Sequence, residues 1–417
     1  MFNYSDMEIK ANSNYKWVLV GLLWVVALLN YMDRQMLSTM RPAMETDISE
    51  LQSATNFGYL MGIFLWVYGI MSPVSGIIAD KLNRKWLIVI SLFVWSGVTY
   101  SMGLADNYQQ VYWLRAIMGI SEALYIPAGL SLIADFHDDT TRSLAIGIHM
   151  TGIYIGQALG GFGATISAAW SWHTTFHFFG IAGMMYAVVL IFFLREKKNK
   201  KQETLKSDPI ENKSVIKSLI LLFSNVFFWV ILFYFAIPSL PGWATKNWLP
   251  TLFAGSLGIP MAEAGPVSTI TIAASSFLGV IVGGILSDRW VLKNIRGRIY
   301  TSAIGLALTI PSLLLIGFGH SLFAVVTAGI CFGIGWGMYD ANNMPILCQF
   351  VSARYRGTAY GIMNMTGVFA GAFITDLLGK YTDAGHLGYG FAILAVVVLA
   401  ALIIQLSFLR PKESYYI

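Results

Sequence analysis

Charge is what this chain has least of. Asp, Glu, Lys and Arg make up 12% of its 417 residues and hydrophobic residues 56%, whereas an average soluble domain is about 25% charged. So little polar surface excludes a soluble globular protein. Cysteine is scarcer still. Cys331 and Cys348 share one apolar run, and the helix between them would hold them about 25 Å apart, which excludes a disulfide between the two. There is no Walker-type Gly-rich loop, no H-E-x-x-H and no G-x-S-x-G elbow, so no enzyme signature and no cofactor is expected. The net charge of +5 does not mark a nucleic-acid binder, because the basic residues sit in short loops and not on one face.

What the chain has instead is apolar length. Twelve segments can span a bilayer: 17–37, 55–79, 86–105, 110–134, 143–167, 175–194, 218–253, 265–287, 299–318, 322–350, 358–379 and 387–408. The expected fold is therefore all-α and integral to the membrane, with twelve transmembrane helices. Residues 17–29 have the length of a signal-peptide core, but no small-residue cleavage site follows, so they read as a retained first helix. Pro238, Pro241, Pro250 and Pro345 predict bends or unwound ends in the long seventh and tenth segments. With the amino terminus inside, cytoplasmic segments hold 22 of the 27 Lys and Arg, and external ones only Arg41, Lys246 and Lys380. Both termini are therefore expected in the cytoplasm, in a cell membrane of the bacterial inner-membrane kind.

A polar, basic stretch, 195–217, divides six segments from six. It reads as a cytoplasmic linker between a first bundle, 1–194, and a second, 218–417. The halves resemble each other. "GIIADK" (76–81) parallels "GILSDR" (284–289), and "RSLAIGI" (142–148) parallels "RGTAYGI" (356–362). Glu122 lies five residues before Pro127, as Asp340 lies five before Pro345. The offsets of 208, 214 and 218 residues make one six-helix unit used twice. Parallel repeats of this kind typify transporters that rock two bundles about a midplane site.

The remaining charges matter because of where they lie. Asp33 and Arg34 end the first segment, and Arg115 and Glu122 lie in the fourth. A charge at the centre of a spanning helix costs roughly 2.5–3.5 kcal/mol, so such residues are as a rule paired and functional. Neighbours on a helix point about 100° apart, so Asp33 and Arg34 face different partners. Arg115 and Glu122, seven apart, share a face, with Gly119 between them leaving room for close approach. A static buried ion-pair network is the plainer reading of these four charges. Asp340 reads equally as a second titrating site or as a carboxylate bonded to local groups, and Asp376 as a solvated residue near a segment end. His149 reads as hydrogen-bonded packing, and Gly152, Gly156, Gly160, Gly279 and Gly283 as close helix contacts.

"GIIADKLNRK" (76–85) is similar to the loop signature of the major facilitator superfamily, with Asn83 where that signature has its second Gly. Within the superfamily the chain resembles the anion:cation symporters through "NYMDR" (30–34), "LRAIMGISEALYIP" (114–127), "NWLPTLF" (247–253) and "GIMNMTG" (361–367). The resemblance implies two six-helix bundles and a set of roles. Arg34 would bind the substrate carboxylate, Asp33 and Glu122 would carry protons, and Arg115 would couple to Asp33. Tyr31, Tyr68, Asn342, Asn343 and Asn364 would line the polar cavity. Asp80, Lys81 and Arg84, with Asp288 and Arg289 in the second half, would form the cytoplasmic gate. Ile153 stands where a galactonate-type relative has Gln, with Tyr154 and Gln157 nearby to substitute.

These roles chemically suit a proton-coupled importer of a sugar acid such as an aldonate, hexuronate or sialic acid, working as a monomer. A guanidinium is permanently charged and grips a carboxylate bidentately. Sodium stays open as the driving ion. An organophosphate or phosphate exchanger is the nearest rival, although such relatives carry a second Arg at the position of Gly242 here. A transporter-like nutrient sensor is the rival from another class.

Overall fold

The computed structural model describes residues 4–138, 140–196, 220–351 and 355–411, and their side chains except at 4–14, 80, 81 and 143. Helices run in the order α1 (Tyr4–Met44), α2 (Ala54–Lys81), α3 (Arg84–Met102), α4 (Tyr108–Ala123), α5 (Tyr125–Phe136), α6 (Arg142–Gly160), α7 (Gly163–Ala169), α8 (Trp172–Phe193), α9 (Val226–Leu257), α10 (Met261–Val291), α11 (Gly297–Phe318), α12 (Leu322–Asp340), α13 (Asn343–Phe350), α14 (Arg356–Asp383) and α15 (Leu387–Phe408). No strand occurs among the described residues. Beyond its first two residues, the expected linker 195–217 lies outside them.

Eleven helical stretches are long and apolar enough to cross a membrane, α4–α5 and α12–α13 each counting as one, and the shorter apolar Leu144–Gly160 makes the twelfth. Short polar joints start many of these helices. Ser53, Asn83, Asn107, Asn225 and Ser321 each accept a backbone N–H of the first turn, satisfying donors the helix itself cannot.

Six spans form each bundle, and the repeat governs how the bundles meet. The second span, α2, lies along the eleventh, α14, and the fifth, α6, along the eighth, α10. Exchanging the two halves exchanges these contacts, as a twofold axis between parallel repeats requires. The tenth span breaks where Pro345 predicts it, between Asp340 and Asn343. The fourth breaks at the matching place, around Leu124 ahead of Pro127. The seventh does not break: Pro238, Pro241 and Pro250 all lie inside the continuous α9.

The bundles are fastened most firmly at the end where α2 begins and α14 finishes. The Asp383 carboxylate accepts from the Ala54 and Thr55 backbone N–H groups at 2.7 and 2.8 Å, and from the Ser53 and Thr55 hydroxyls at 2.9 and 2.6 Å. An anion from one half thus caps a helix N-terminus of the other, where charge and dipole favour it. One span further along, Thr165 donates to the Ala262 carbonyl at 2.7 Å, and Thr269 to that of Ala158 at 3.1 Å. Asp376, expected to be solvated, instead sits in the α2–α14 contact and accepts from the Trp66 indole at 3.2 Å.

Removing the Asp383 carboxylate should loosen this end. Asp383 is solvent-exposed, so its bonds together are worth about 1 kcal/mol net, and Asp383→Ala should shift the open–closed balance there roughly fivefold. Spin labels at Glu50→Cys and Ala384→Cys, in a background without Cys331 and Cys348, should report a larger fraction of long distances. An unchanged distribution would mean that the carboxylate holds nothing shut.

Candidate functional site

Where α1, α2 and α4 cross, the chain gathers most of its buried charge. Gly119 allows the crossing: a Cβ there would meet the Phe64 carbonyl oxygen at 2.7 Å, so α4 lies directly on the α2 backbone. That approach places the Phe64 ring between two cations, with the Arg115 guanidinium 4.5 Å and the Arg34 guanidinium 4.9 Å from its centroid. Tyr31 and Tyr68 complete an aromatic box around Arg34 at 4.9 and 4.6 Å. Such faces stabilise a cation that has left water.

Arg34 Nε donates to Glu122 Oε2 at 2.5 Å. Glu122 is fully buried, in the last turn of α4, where the negative end of the helix dipole disfavours a carboxylate. Arg34 is the partner that favours its ionised form there. Buried charges keep their place only when paired and hydrogen-bonded. The pair is not saturated: Arg34 Nη2 and Glu122 Oε1 are buried with no hydrogen-bond partner among the described residues.

In this conformation Arg34 is shared with an acid. Arg115 lies within range of the Asp33 charge, but no ion pair within 4 Å joins them, and Asp33 accepts from the Thr99 hydroxyl at 3.4 Å. Arg115, 3% exposed, donates to the Met118 sulfur at 3.1 Å. As the 100° rule predicts, Asp33 and Arg34 turn to different helices.

The cavity between the bundles begins at Arg34. Tyr31, Arg34, Gln35, Gln157, Trp243 and Lys246 line one small space between the bundles, and Gln35, Gln157 and Lys246 continue into an adjoining space with Thr245, Ser268 and Thr269. Lys246, counted from sequence with the external residues, lies inside α9 and faces this cavity, its ammonium 4.8 Å from the Trp243 ring centroid. Gln157, suggested from sequence as a substitute near Ile153, does line the cavity, while Ile153 is buried. Asp340 is exposed although its neighbours Tyr339, Asn342 and Asn343 are buried, and Lys246 and Tyr31 lie within range of its charge.

The asparagines are committed elsewhere. Asn342 is fully buried and donates to the Met338 carbonyl at 2.8 Å, holding the break between α12 and α13. Asn343 donates to Asp340 at 3.1 Å and accepts from the Tyr234 hydroxyl at 3.2 Å, so it orients the acid. Asn364 donates to Ser72 at 3.1 Å across the two bundles. Interhelical bonding, the plainer alternative for such amides, describes all three in this conformation. His149 likewise bonds the Tyr125 hydroxyl at 2.8 Å.

At the gate, the side chains of Asp80 and Lys81 lie outside the described residues. Arg84 forms an ion pair with Asp135, and its backbone N–H donates to Glu196 at 3.1 Å. Asp288 pairs with Arg298 at 2.9 Å, and Arg289 is exposed. Among the described residues these pairs stay within one half.

Comparison with known proteins agrees with this architecture. The chain is 24% identical over 430 residues to the hexuronate transporter of Bacillus subtilis (strain 168), with 96% of each chain covered. It is 26% identical to the same organism's "probable galactarate/D-glucarate transporter GudP", over 90% of this chain and 91% of that one. A solved bacterial homolog of the human lysosomal transporter Spinster, inward-facing and unoccupied, shares the fold with a TM-score of 0.80 at 18% identity, over 96% of this chain and 99% of that one. The Major Facilitator Superfamily sequence pattern matches residues 23–375. The chain belongs to the Major Facilitator Superfamily and is a transporter, not an enzyme.

Proposed function

We propose that the protein carries a sugar acid, such as an aldonate, hexuronate or sialic acid, together with protons, by alternating access. The observation that carries this reading is the Arg34–Glu122 bond of 2.5 Å beside the cavity. One guanidinium serves two clients there. While Glu122 is ionised it holds Arg34. When Glu122 takes a proton, the guanidinium is released to grip a substrate carboxylate, so substrate and proton load together. Gln157 and Tyr31 beside it can both donate and accept, and the Gln35 amide oxygen can accept while its N–H groups bond Ser38 and the Lys246 carbonyl, which suits sugar hydroxyls. The names of the two relatives, for hexuronate and for galactarate and D-glucarate, support the sugar-acid class.

The distribution of Lys and Arg supports cytoplasmic termini, in a bacterial inner membrane. The Asp383 end is then external, and the conformation described is closed outside. Domain limits of 1–194, 195–217 and 218–417 remain our assignment, with the gate at Asp80, Lys81, Arg84, Asp288 and Arg289. One observation favours a second reading. Lys246 gives the cavity a second cation, as a phosphate ester would require, although the Gly242 position itself is filled by the Trp336 ring, 2.3 Å from where a Cβ would stand.

Uptake by purified protein in liposomes separates the readings. Galactonate, glucuronate, sialic acid, glycerol 3-phosphate and glucose would each be offered with and without an inward acid gradient. Acceleration of one sugar acid by the gradient is expected. Uptake of glycerol 3-phosphate, or of a sugar acid indifferent to pH, would overturn it.

A further inference from the structure

Lys246 is, among the described residues, the one cavity cation that the Arg34–Glu122 switch does not use. It belongs to α9 in the second bundle, whereas Arg34 belongs to α1 in the first, and both line the same space. Their relative position is held at the backbone: Gln35, next to Arg34, donates its amide to the Lys246 carbonyl at 2.7 Å. No carboxylate lies within 4 Å of the Lys246 ammonium among the described residues, and its neighbour is the Trp243 ring at 4.8 Å. Asp340, whose charge Lys246 feels, is held aside by Asn343 at 3.1 Å.

An ammonium inside a spanning helix is costly, and such groups are retained where they meet a pathway or a ligand. A monocarboxylate gripped by Arg34 leaves Lys246 facing only its hydroxyl end. A six-carbon acid with a carboxylate at each end meets a cation at both, with Gln35 and Gln157 beside the hydroxyls between. We infer that Lys246 is a second anion anchor, and that the preferred substrate is a polyhydroxylated dicarboxylate bridging Arg34 and Lys246. This rests on the sugar-acid reading above and narrows it. It also ties the substrate to both bundles at once, so that a bound diacid draws α1 and α9 together.

Galactarate and galactonate make a matched pair, differing only in a terminal carboxylate against a hydroxymethyl group. Initial uptake of both would be measured in liposomes for wild type, Lys246→Gln and Lys246→Arg, with melting temperature and size-exclusion profile as controls of folding. Wild type should prefer galactarate. Lys246→Gln should lower the galactarate-to-galactonate ratio of kcat/KM about tenfold, the loss of one charge-assisted hydrogen bond, and Lys246→Arg should keep the preference. Wild-type uptake of galactonate without a preference for galactarate, or a preference that survives Lys246→Gln, overturns the inference and leaves the sugar-acid reading standing. If wild type carries neither acid, the inference falls, and the sugar-acid reading is decided by uptake of glucuronate and sialic acid in the panel above. If Lys246→Gln fails to fold, the wild-type ratio and its persistence in Lys246→Arg still decide.

Discussion

Arg34→Lys should lose about a hundredfold in kcat/KM for the transported acid while the protein still folds. The guanidinium fills three requirements at once. Its plane lies among the rings of Tyr31, Phe64 and Tyr68 at 4.6–4.9 Å, its Nε bonds Glu122 at 2.5 Å, and its Nη2 has no protein partner among the described residues. An ammonium is a point charge on a thin stem; it can stay near Glu122 but cannot present a planar fork to a second carboxylate. Spoiling one member of a buried, hydrogen-bonded charge pair costs roughly 2–5 kcal/mol, and a hundredfold, about 2.7 kcal/mol, lies toward the low end of that range, as fits a lysine that keeps the charge. Lysine is a cleaner probe than alanine. Arg34→Ala would strand Glu122 as an uncompensated buried charge, and the resulting loss of about 3–5 kcal/mol of stability would obscure any effect on binding. Near-normal affinity in Arg34→Lys would place the anion elsewhere.

Glu122→Gln should separate transport from accumulation. The amide oxygen can still accept from Arg34 Nε, so the site keeps its shape, but the side chain can no longer gain and lose a proton between the two faces of the membrane. Counterflow exchange of labelled for unlabelled substrate should survive, while accumulation driven by a pH gradient falls to equilibration. Asp33→Asn should do less damage, because its one hydrogen-bond partner among the described residues is Thr99 at 3.4 Å and it does not touch Arg34. If Glu122→Gln accumulates substrate normally, the coupling proton does not travel on Glu122, and Asp33 or Asp340 becomes the carrier.

The contrast between these acids shows what can be read from one-dimensional spacing. The fold was legible, because every span is an apolar run and hydropathy needs no partner. The two helix breaks were legible from proline: Pro127 and Pro345 each stand as the third residue of the helix that resumes after the break, a position that needs no donor from that residue. The face shared by Arg115 and Glu122 followed from helical period. Which arginine meets which acid did not follow, since that depends on how α1, α2 and α4 come together, and the α2–α4 crossing is set by Gly119 against the Phe64 backbone. Lys246 was counted with the external residues for a related reason. Prolines on either side of it suggest a bend, and only a continuous α9 turns it toward the cavity. Asn342, Asn343 and Asn364 were residues of the right type in the right segments, but an amide serves a helix break as readily as a sugar, and their partners lie far away in sequence or across a turn.

The most direct test of proton-coupled sugar-acid transport is to watch the proton itself. Purified protein would be placed in liposomes loaded with a pH indicator, with equal pH and no sodium on either side and the membrane potential clamped. Adding a transported sugar acid outside should acidify the interior, saturably, in wild type and not in Glu122→Gln. Entry of the labelled acid without movement of the indicator would contradict the account, since it would mean that Arg34 and Glu122 do not trade a substrate for a proton.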